Sequence, residues 1–133
     1  MLLFLSIKKN KQMEKIKTLV IGASINPERF SYKAIKLLVK YEHPVEAIGA
    51  KEGELEGIKI VKEKLLHSNI HTITMYIGPK NQLDYYDYIL GLKPKRIIFN
   101  PGTENPDLEQ LAKNAGIEVV EDCTLVMLNG GSF

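Results

Sequence analysis

The sequence predicts an α/β fold of the Rossmann-like type, a doubly wound sheet of five parallel strands with helices on both faces. Two observations support this prediction. Five short apolar segments alternate with helical stretches along 133 residues, a length typical of one domain. Each clear helical stretch also carries its own start or stop signal. Alternation of this kind gives parallel strands joined by right-handed crossovers, which distribute the helices over both faces of the sheet.

The sequences of the five predicted strands indicate different degrees of burial. A strand that is buried on both faces reads as continuous apolar sequence, whereas a less covered strand alternates. The first and fourth segments are continuous and are therefore placed at the centre, and the third alternates and is placed at an edge. The resulting strand order is 3-2-1-4-5. In chain order the predicted strands are Lys17–Ile21, Val45–Gly49, Thr72–Ile77, Arg96–Phe99 and Ile117–Val120.

The first predicted helix runs from about Tyr32 to Tyr41. Ser31 is a suitable N-cap residue, and Pro44 prevents the helix from continuing into the second strand. Residues 50–70 are less regular, and they predict a polar loop, a short extended piece and one or two helical turns.

Two further helices precede the last two strands. One runs from about Lys80 to Leu90 and is stopped by Gly91. The other has the clearest signals, because Asn105 can cap it, Pro106 occupies its first position and Gly116 can end it.

Composition and charge exclude several classes of function. The chain is 44% hydrophobic and 26% charged, as in an ordinary soluble globular domain, and its expected location by default is the cytoplasm. A net charge of +2 is too small to predict a nucleic-acid or membrane partner. Cys123 is the only cysteine, and the three histidines lack the spacing of zinc ligands. Neither a disulfide nor a metal site is predicted.

Residues 1–12 are predicted to be an N-terminal extension, disordered or loosely packed, with the folded domain spanning residues 13–133. The run Leu2–Leu5 is apolar but far too short to cross a bilayer. A secretory signal carries its positive charge before the apolar run, whereas the lysines here follow it. Met13 stands just before the first strand and could serve as an alternative start.

The predicted strand order creates a switch point between the first and fourth strands, where ligands of such sheets bind. Gly22-Ala23-Ser24 and Asn100-Pro101-Gly102 arrive there. Gly22 lets the backbone approach a pyrophosphate, and the amides of Ala23 and Ser24 with the Ser24 hydroxyl can donate to phosphate oxygens. The alternative for Gly22 is a tight strand-to-helix turn. The loop has one glycine, so the three-glycine dinucleotide fingerprint is absent.

Three more residues between the first strand and the first helix are candidate phosphate contacts. Asn26 and Arg29 are long enough to reach a phosphate, although Arg29 also reads as a solvated loop charge. Ser31 is a helix cap first, and it contacts a ligand only if the start of the helix faces the crevice.

Lys51, at the end of the second strand, bears on the identity of the ligand. An NAD site has Asp or Glu at this position to bind the ribose hydroxyls. A lysine would instead favour a ligand with an additional ribose phosphate, which is the 3′-phosphate of CoA or the 2′-phosphate of NADP. The alternative is an ordinary solvated lysine.

Five motifs follow the predicted strands in order: Gly22-Ala23-Ser24 with Asn26-Pro27-x-Arg29 and Ser31-Tyr32, Ala50-Lys51, Ile77-Gly78-Pro79, Asn100-Pro101-Gly102-Thr103-Glu104-Asn105-Pro106, and Glu121-Asp122-Cys123. From about Lys17 to Met127 the chain thereby resembles the small CoA-binding-domain proteins. Their fold is akin to the CoA-binding domain of the succinyl-CoA synthetase alpha subunit.

The resemblance implies that the chain binds coenzyme A or acyl-CoA as its cofactor. The pyrophosphate would lie on the loop at residues 22–24 and the 3′-phosphate near Lys51. The pantetheine arm would pass Asn100-Pro101-Gly102, with the rings of Pro79 and Pro101 as an apolar wall. Each proline could equally just end its strand. Participation in a ligation reaction would require a protein partner, because the chain has no counterpart of the remaining synthetase segments.

The residues reveal no catalytic set: we find no acid–base pair, no Ser-His-Asp arrangement and no P-loop lysine. Two alternatives to non-catalytic CoA binding stay open. One is an NADP-dependent reductase, for which Tyr76 is a poor proton donor because it lies on a strand face. The other is a regulatory module that senses the nucleotide and passes the signal to a partner. Cys123 could be a reactive thiol near that of CoA or a small buried hydrophobe.

Overall fold

The computed structural model describes residues 14–133, so the extension expected at residues 1–12 lies outside the described residues. The described chain forms a sheet of seven strands instead of the five that were predicted. The strands are β1 (Thr18–Ile21), β2 (Val45–Ile48), β3 (Gly53–Leu55), β4 (Ile58–Val61), β5 (Thr72–Met75), β6 (Arg96–Phe99) and β7 (Glu118–Glu121). Their order is β3-β4-β2-β1-β5-β6-β7, and only the β3–β4 pairing is antiparallel.

Helices cover both faces of this sheet, as predicted. The helices are α1 (Phe30–Lys40), α2 (Pro79–Gln82), α3 (Tyr86–Leu92), α4 (Pro106–Asn114) and α5 (Thr124–Gly130), with a 3-10 turn at Leu83–Tyr85. The apolar side chains of α1 and α5 pack on one face, and those of α3 and α4 pack on the other. The sequence analysis did not find α5, because its first residues carry no capping signal. No helix within residues 14–133 has the length and apolar character needed to cross a bilayer.

The predicted strand order 3-2-1-4-5 is wrong, because the third predicted strand is central. This strand is β5, and it is hydrogen-bonded to β1 on one side and to β6 on the other. Its alternating threonines do not face solvent. Thr72 Oγ1 accepts a hydrogen bond from Arg96 Nε at 3.0 Å, and Thr74 Oγ1 lies 2.8 Å from Thr124 Oγ1. Both threonines are fully buried. Their burial is tolerated because these partners satisfy their hydroxyl groups.

One edge of the sheet is a hairpin, of which the short extended piece predicted at Ile58–Ile60 forms β4, whereas β3 lies in the stretch that was predicted to be a polar loop. Strands β3 and β4 are joined by Glu56 and Gly57, whose φ angles of 54° and 78° match a tight hairpin turn with two left-handed residues. Glu-Gly is a less recognisable turn pair than Asn-Gly, which explains the omission. The helical turns expected at Glu63–His67 are absent from the described structure.

Two of the three predicted helices begin or end differently from the prediction. Helix α1 starts at Phe30 with Arg29 as its N-cap residue, so Ser31 is not the cap and lies buried in the first turn. The helix predicted at 80–90 is divided by the 3-10 turn, and it ends at Leu92 with Lys93 in the left-handed conformation.

The third helix, α4, begins as predicted. Asn105 Oδ1 accepts a hydrogen bond from Leu108 N at 3.3 Å, and the Glu109 carboxylate accepts one from Asn105 N at 2.8 Å. This reciprocal cap, followed by Pro106 at the first position, is encoded locally in the sequence.

In its neutral form, His43 holds the segment before β1 against the sheet. Its Nδ1 accepts a hydrogen bond from Ile16 N at 3.0 Å, and its ring centroid lies 5.1 Å from that of Phe133. Burial, and then the positive charges of Lys15 and Arg96, keep the pKa of His43 below its ordinary value. Protonation would remove the acceptor and add a third cation.

We therefore expect the free energy of unfolding to fall as the pH is lowered from about 8 to about 5.5. The folded pKa is depressed, so the stabilisation is complete above the unfolded pKa of about 6.5 and is lost as the pH falls through the folded pKa. His43→Gln, which keeps an acceptor but does not titrate, should flatten this dependence in urea titrations. The pKa of His71 is also lowered, so His71 should leave part of the pH dependence of stability in this variant. If His43→Gln and the wild-type protein showed the same pH dependence of the free energy of unfolding, the effect would come from groups other than His43.

Candidate functional site

The switch point of the sheet lies between β1 and β5. The prediction placed it between β1 and the fourth predicted strand, which is β6 and lies one strand farther from β1. The segments that leave these strands at their carboxyl ends are residues 22–29 and 76–79. The segment after β6, residues 100–105, is the next one along the same edge. The segment after β2, residues 49–52, lies on the other side of β1. In a parallel sheet this edge is where ligands bind.

Gly22 has a structural reason of its own for being glycine. Its φ of 96° is left-handed, and a Cβ at this position would lie 2.8 Å from both the carbonyl carbon and the oxygen of Tyr76. Gly22 N and Ala23 N both donate to Ile48 O at 2.9 Å. The tight turn is thus built by β2 and β5, and the Ala23 amide that we expected to bind phosphate already has an acceptor.

The next part of the loop keeps hydrogen-bond donors without a protein acceptor. Ser24 Oγ accepts from Asn26 N at 3.0 Å, which leaves the Ser24 hydroxyl proton free to donate. Asn26 Oδ1 accepts from Glu28 N at 3.0 Å, which leaves the amide NH₂ group. Among residues 14–133 the amide of Ser24 has no hydrogen-bonded acceptor. These donors precede the start of α1, where the first-turn amides add positive potential.

Two cations near this loop are also uncommitted. Arg29 and Lys51 are exposed, and neither has a carboxylate within 4.0 Å among the described residues. The loops that carry them touch, because a Cβ on Gly53 would lie 2.7 Å from the side chain of Ile25. Ser31, in contrast, is buried within the first turn of α1.

The segment after β6 divides into a buried part and an exposed part. The carboxamide of Asn100 is buried and fully engaged: it donates to Thr74 Oγ1 at 2.7 Å and Met75 O at 2.8 Å, and it accepts from Thr124 N at 2.8 Å. Pro101 and Gly102 are exposed, as is Pro79, the first residue of α2 after the neighbouring strand β5.

Gln82 is the structural residue of this site that the sequence analysis missed. It is fully buried, and its Nε2 donates to Ile77 O at 2.9 Å and to Thr103 O at 2.7 Å. Its Oε1 accepts from Asn105 Nδ2 at 2.9 Å. Gln82 therefore joins the loop after β5 to the loop after β6. A glutamine within a helical stretch gave no signal of this role.

Three carboxylates gather at one part of the carboxyl edge: Glu104, Glu109 and Glu121 lie beside β6 and β7. The hydrogen bond and the charge of Glu109, and more weakly the charge of Glu104, raise the pKa of Glu121 above its ordinary value, against an opposing contribution from Lys113. The negative charges of Glu109 and Glu104 therefore act on Glu121 at this part of the edge.

Tyr76 directly follows β5, and Cys123 lies two residues after β7. Burial raises the pKa of Tyr76 to about 12, against smaller opposing contributions from Thr124 and Thr74. The Tyr76 hydroxyl is buried and has no well-aligned hydrogen-bond partner among the described residues. A phenol in this state does not release a proton near neutral pH. Cys123 is half-buried and immediately precedes α5.

Residues 14–133 contain no group of three or more His, Cys, Asp or Glu side chains arranged to hold a metal ion. The loop between β1 and α1 offers free hydrogen-bond donors, and Arg29 and Lys51 offer positive charge; both features suit a phosphorylated ligand.

Known structures share this fold. One, described as an uncharacterized protein, is 47% identical, has a TM-score of 0.88, and matches 90% of this chain and 99% of its own. A hypothetical protein from Pyrococcus horikoshii OT3 is 23% identical, with a TM-score of 0.76 and coverage of 90% and 86%. A protein called cell-free ID.343 from Thermus thermophilus is 22% identical, with a TM-score of 0.80 and coverage of 96% and 98%.

No curated protein matches the sequence. The family model of the CoA binding domain, however, matches residues 17–129, which include every element of the sheet and all the loops of its carboxyl edge. The chain belongs to the CoA binding domain family.

Proposed function

We propose that this protein binds coenzyme A or an acyl-CoA in the cytoplasm without catalysing a reaction on it. The observation that carries the proposal is the set of uncommitted donors between β1 and α1, namely the Ser24 amide and hydroxyl and the Asn26 NH₂ group. They stand beside the first turn of an eleven-residue helix, where a diphosphate is favoured by the helix dipole. The pyrophosphate of the ligand would lie there, and Gly22 would shape the turn beneath it.

Arg29 and Lys51 supply the charge for a further phosphate. Because the loop of Lys51 touches the loop of Ile25, a ribose phosphate at the end of β2 would be close to a pyrophosphate held by residues 24–26. The 3′-phosphate of CoA fits this arrangement, and an exposed lysine without a carboxylate partner is free to bind it.

The carboxylates beside β6 and β7 set the direction of the ligand. Glu104, Glu109 and Glu121 would repel phosphates, whereas the pantetheine arm is uncharged. The arm would therefore run from the loop after β1 past Pro79, and then past Pro101 and Gly102. The prolines offer ring surface without an N–H group, and both are exposed.

The residues at the far end of this path support binding over turnover. The pKa of Tyr76 near 12 makes it a poor acid at neutral pH, and Cys123 lies without a histidine base on the segments of the carboxyl edge. The same features weigh against an NADP-dependent reductase. A binding domain of this kind would act by presenting CoA, or the signal of its presence, to a protein partner.

A thermal-shift titration with CoA, dephospho-CoA, NADP and NAD at equal concentrations tests the proposal. A ligand that binds only the folded state raises Tm by mass action. We expect CoA to give the largest shift and dephospho-CoA a smaller one. A large shift with NADP and none with CoA would replace this proposal by the reductase alternative.

Lys51→Ala should weaken CoA binding about tenfold and leave dephospho-CoA binding nearly unchanged, because one charge-assisted contact is worth about 1.5 kcal/mol. Calorimetric titration of both ligands measures the two affinities. Lys59→Ala removes a similarly exposed lysine from β4, outside the carboxyl edge, and serves as the control. Equal losses for the two ligands in Lys51→Ala would place the lysine away from the 3′-phosphate.

A further inference from the structure

An open cleft of ≈ 420 Å³ lies at the amino edge of the sheet, opposite the proposed CoA site. We call it the amino-edge cleft, and its polar lining consists of Lys15, Lys17, Asn69, His71, Lys93 and Lys95. These residues come from three separate segments of the chain, which precede β1, β5 and β6. Four lysines converge here although the whole protein has a net charge of only +2.

The backbone fixes part of this cluster in a row. His71 N donates to Lys17 O at 3.0 Å, and Lys95 N donates to His71 O at 2.9 Å. Lys17, His71 and Lys95 each immediately precede a strand, so they occupy equivalent positions on three adjacent strands. Neighbouring strands lie about 4.8 Å apart, which sets the spacing of the row. Lys93, in the left-handed turn after α3, adds a fourth position.

Most of these cations have no counter-charge. Lys15 Nζ lies 3.7 Å from the Glu42 carboxylate, and Lys17 Nζ donates to Ser68 O at 2.8 Å. For Lys17, Lys93 and Lys95, no carboxylate lies within 4.0 Å among residues 14–133, a range that holds every Asp and Glu of the sequence. Like charges gathered in this way repel one another, and an anion in the cleft would relieve the repulsion.

We propose that the amino-edge cleft binds a small polyanion of the oligophosphate class, independently of the CoA site. Ammonium groups are compact charges that suit phosphate oxygens in many orientations. Among residues 14–133 no Phe or Tyr side chain lines the cleft, whose apolar walls are Ile70 and Leu92, so the His71 ring is the one surface of the described lining on which a nucleobase could stack. The strands between the two edges are four residues long, about 13 Å, which separates the two sites.

His71 would make the binding pH-dependent. Burial, followed by the charges of Arg96 and Lys95, lowers the pKa of His71, while Glu14 and Glu118 act in the opposite direction. Its Nδ1 lies 2.8 Å from Thr72 Oγ1. A bound polyanion would favour the protonated ring, so binding would take up a proton and tighten as the pH falls toward the pKa of His71.

Calorimetric titration with inorganic tripolyphosphate at low ionic strength tests this proposal. Lys95→Gln should weaken binding about tenfold, whereas Lys62→Gln, which removes an exposed lysine after β4, should change it less than about twofold. CoA binding should be unaffected by Lys95→Gln, which separates this site from the proposed function. His71→Asn should abolish the tightening at low pH.

Three results would overturn the proposal. The first is the absence of measurable binding to the wild-type protein. The second is equal weakening by Lys95→Gln and Lys62→Gln, which would show attraction to overall charge alone. The third is much tighter binding of a short single-stranded RNA than of tripolyphosphate, which would make the cleft part of a nucleic-acid surface.

Discussion

Gly22→Ala is expected to lower the free energy of unfolding by about 3 kcal/mol, an effect that combines backbone strain with steric overlap. The φ of 96° disfavours any residue with a Cβ, and this Cβ would lie 2.8 Å from two backbone atoms of Tyr76. Tyr76 N is hydrogen-bonded to Ile21 O at 2.8 Å, so its backbone cannot withdraw without separating β5 from β1. Urea denaturation measures the loss.

Two other glycines of the same edge separate the two causes. Gly102 has a φ of 92°, but no atom lies within 4 Å of the position that a Cβ would take, so Gly102→Ala should cost only the backbone strain of about 1 kcal/mol. Gly78 has a φ of −68° and open space, and Gly78→Ala should be nearly neutral. If Gly22→Ala kept wild-type stability and lost CoA binding, the glycine would serve the ligand alone.

The contrast between α4 and β5 shows which parts of the fold the sequence could predict. Asn105, Pro106 and Gly116 signal the limits of α4 through contacts within the same segment, and these signals were correct. Thr72 and Thr74 read as exposed because nothing near them in sequence satisfies their hydroxyls. Arg96 and Thr124, which lie 24 and 50 residues away, do so in the fold. The alternation of apolar residues and threonines in β5 therefore occurs in a central strand, although it is typical of a strand at the edge of a sheet.

The candidate site shows the same limit. Segments at the carboxyl ends of parallel strands must share one edge, so the sequence could predict that residues 22–26 and 100–102 lie there. Which segments are neighbours depends on strand order, and this order placed Tyr76 beside Gly22. The role of Gln82 and the gathering of Glu104, Glu109 and Glu121 also depend on residues that are distant in sequence.

Asn100 depends on distant partners as well, and Asn100→Ala is expected to lower the free energy of unfolding by about 3 kcal/mol. Its carboxamide bonds Thr74 Oγ1, Met75 O and Thr124 N, all in a region closed to water. Truncation leaves three buried polar groups short of a partner, and each such loss costs about 1 kcal/mol or more. The same bonds tie β6 to β5 and to the start of α5.

Asn100→Asp divides this effect into its two parts. The carboxylate can still accept from Thr124 N, but an ionised group cannot donate to Met75 O at 2.8 Å. Burial beside a carbonyl raises the pKa of such a carboxyl, so the stability of Asn100→Asp should fall as the pH rises through that raised pKa. Asn100→Ala should show no added pH dependence.

Asn114→Ala is the matched control, because Asn114 accepts a hydrogen bond from Gln110 Nε2 at 2.9 Å on the exposed side of α4. Its loss should change stability by less than about 0.5 kcal/mol. CoA affinity, measured at a temperature where Asn100→Ala is fully folded, separates structure from recognition. Wild-type stability combined with lost affinity would make Asn100 a ligand contact, as the sequence predicted. Lost stability with retained affinity would assign its carboxamide to the fold and leave recognition to the exposed backbone of Pro101 and Gly102.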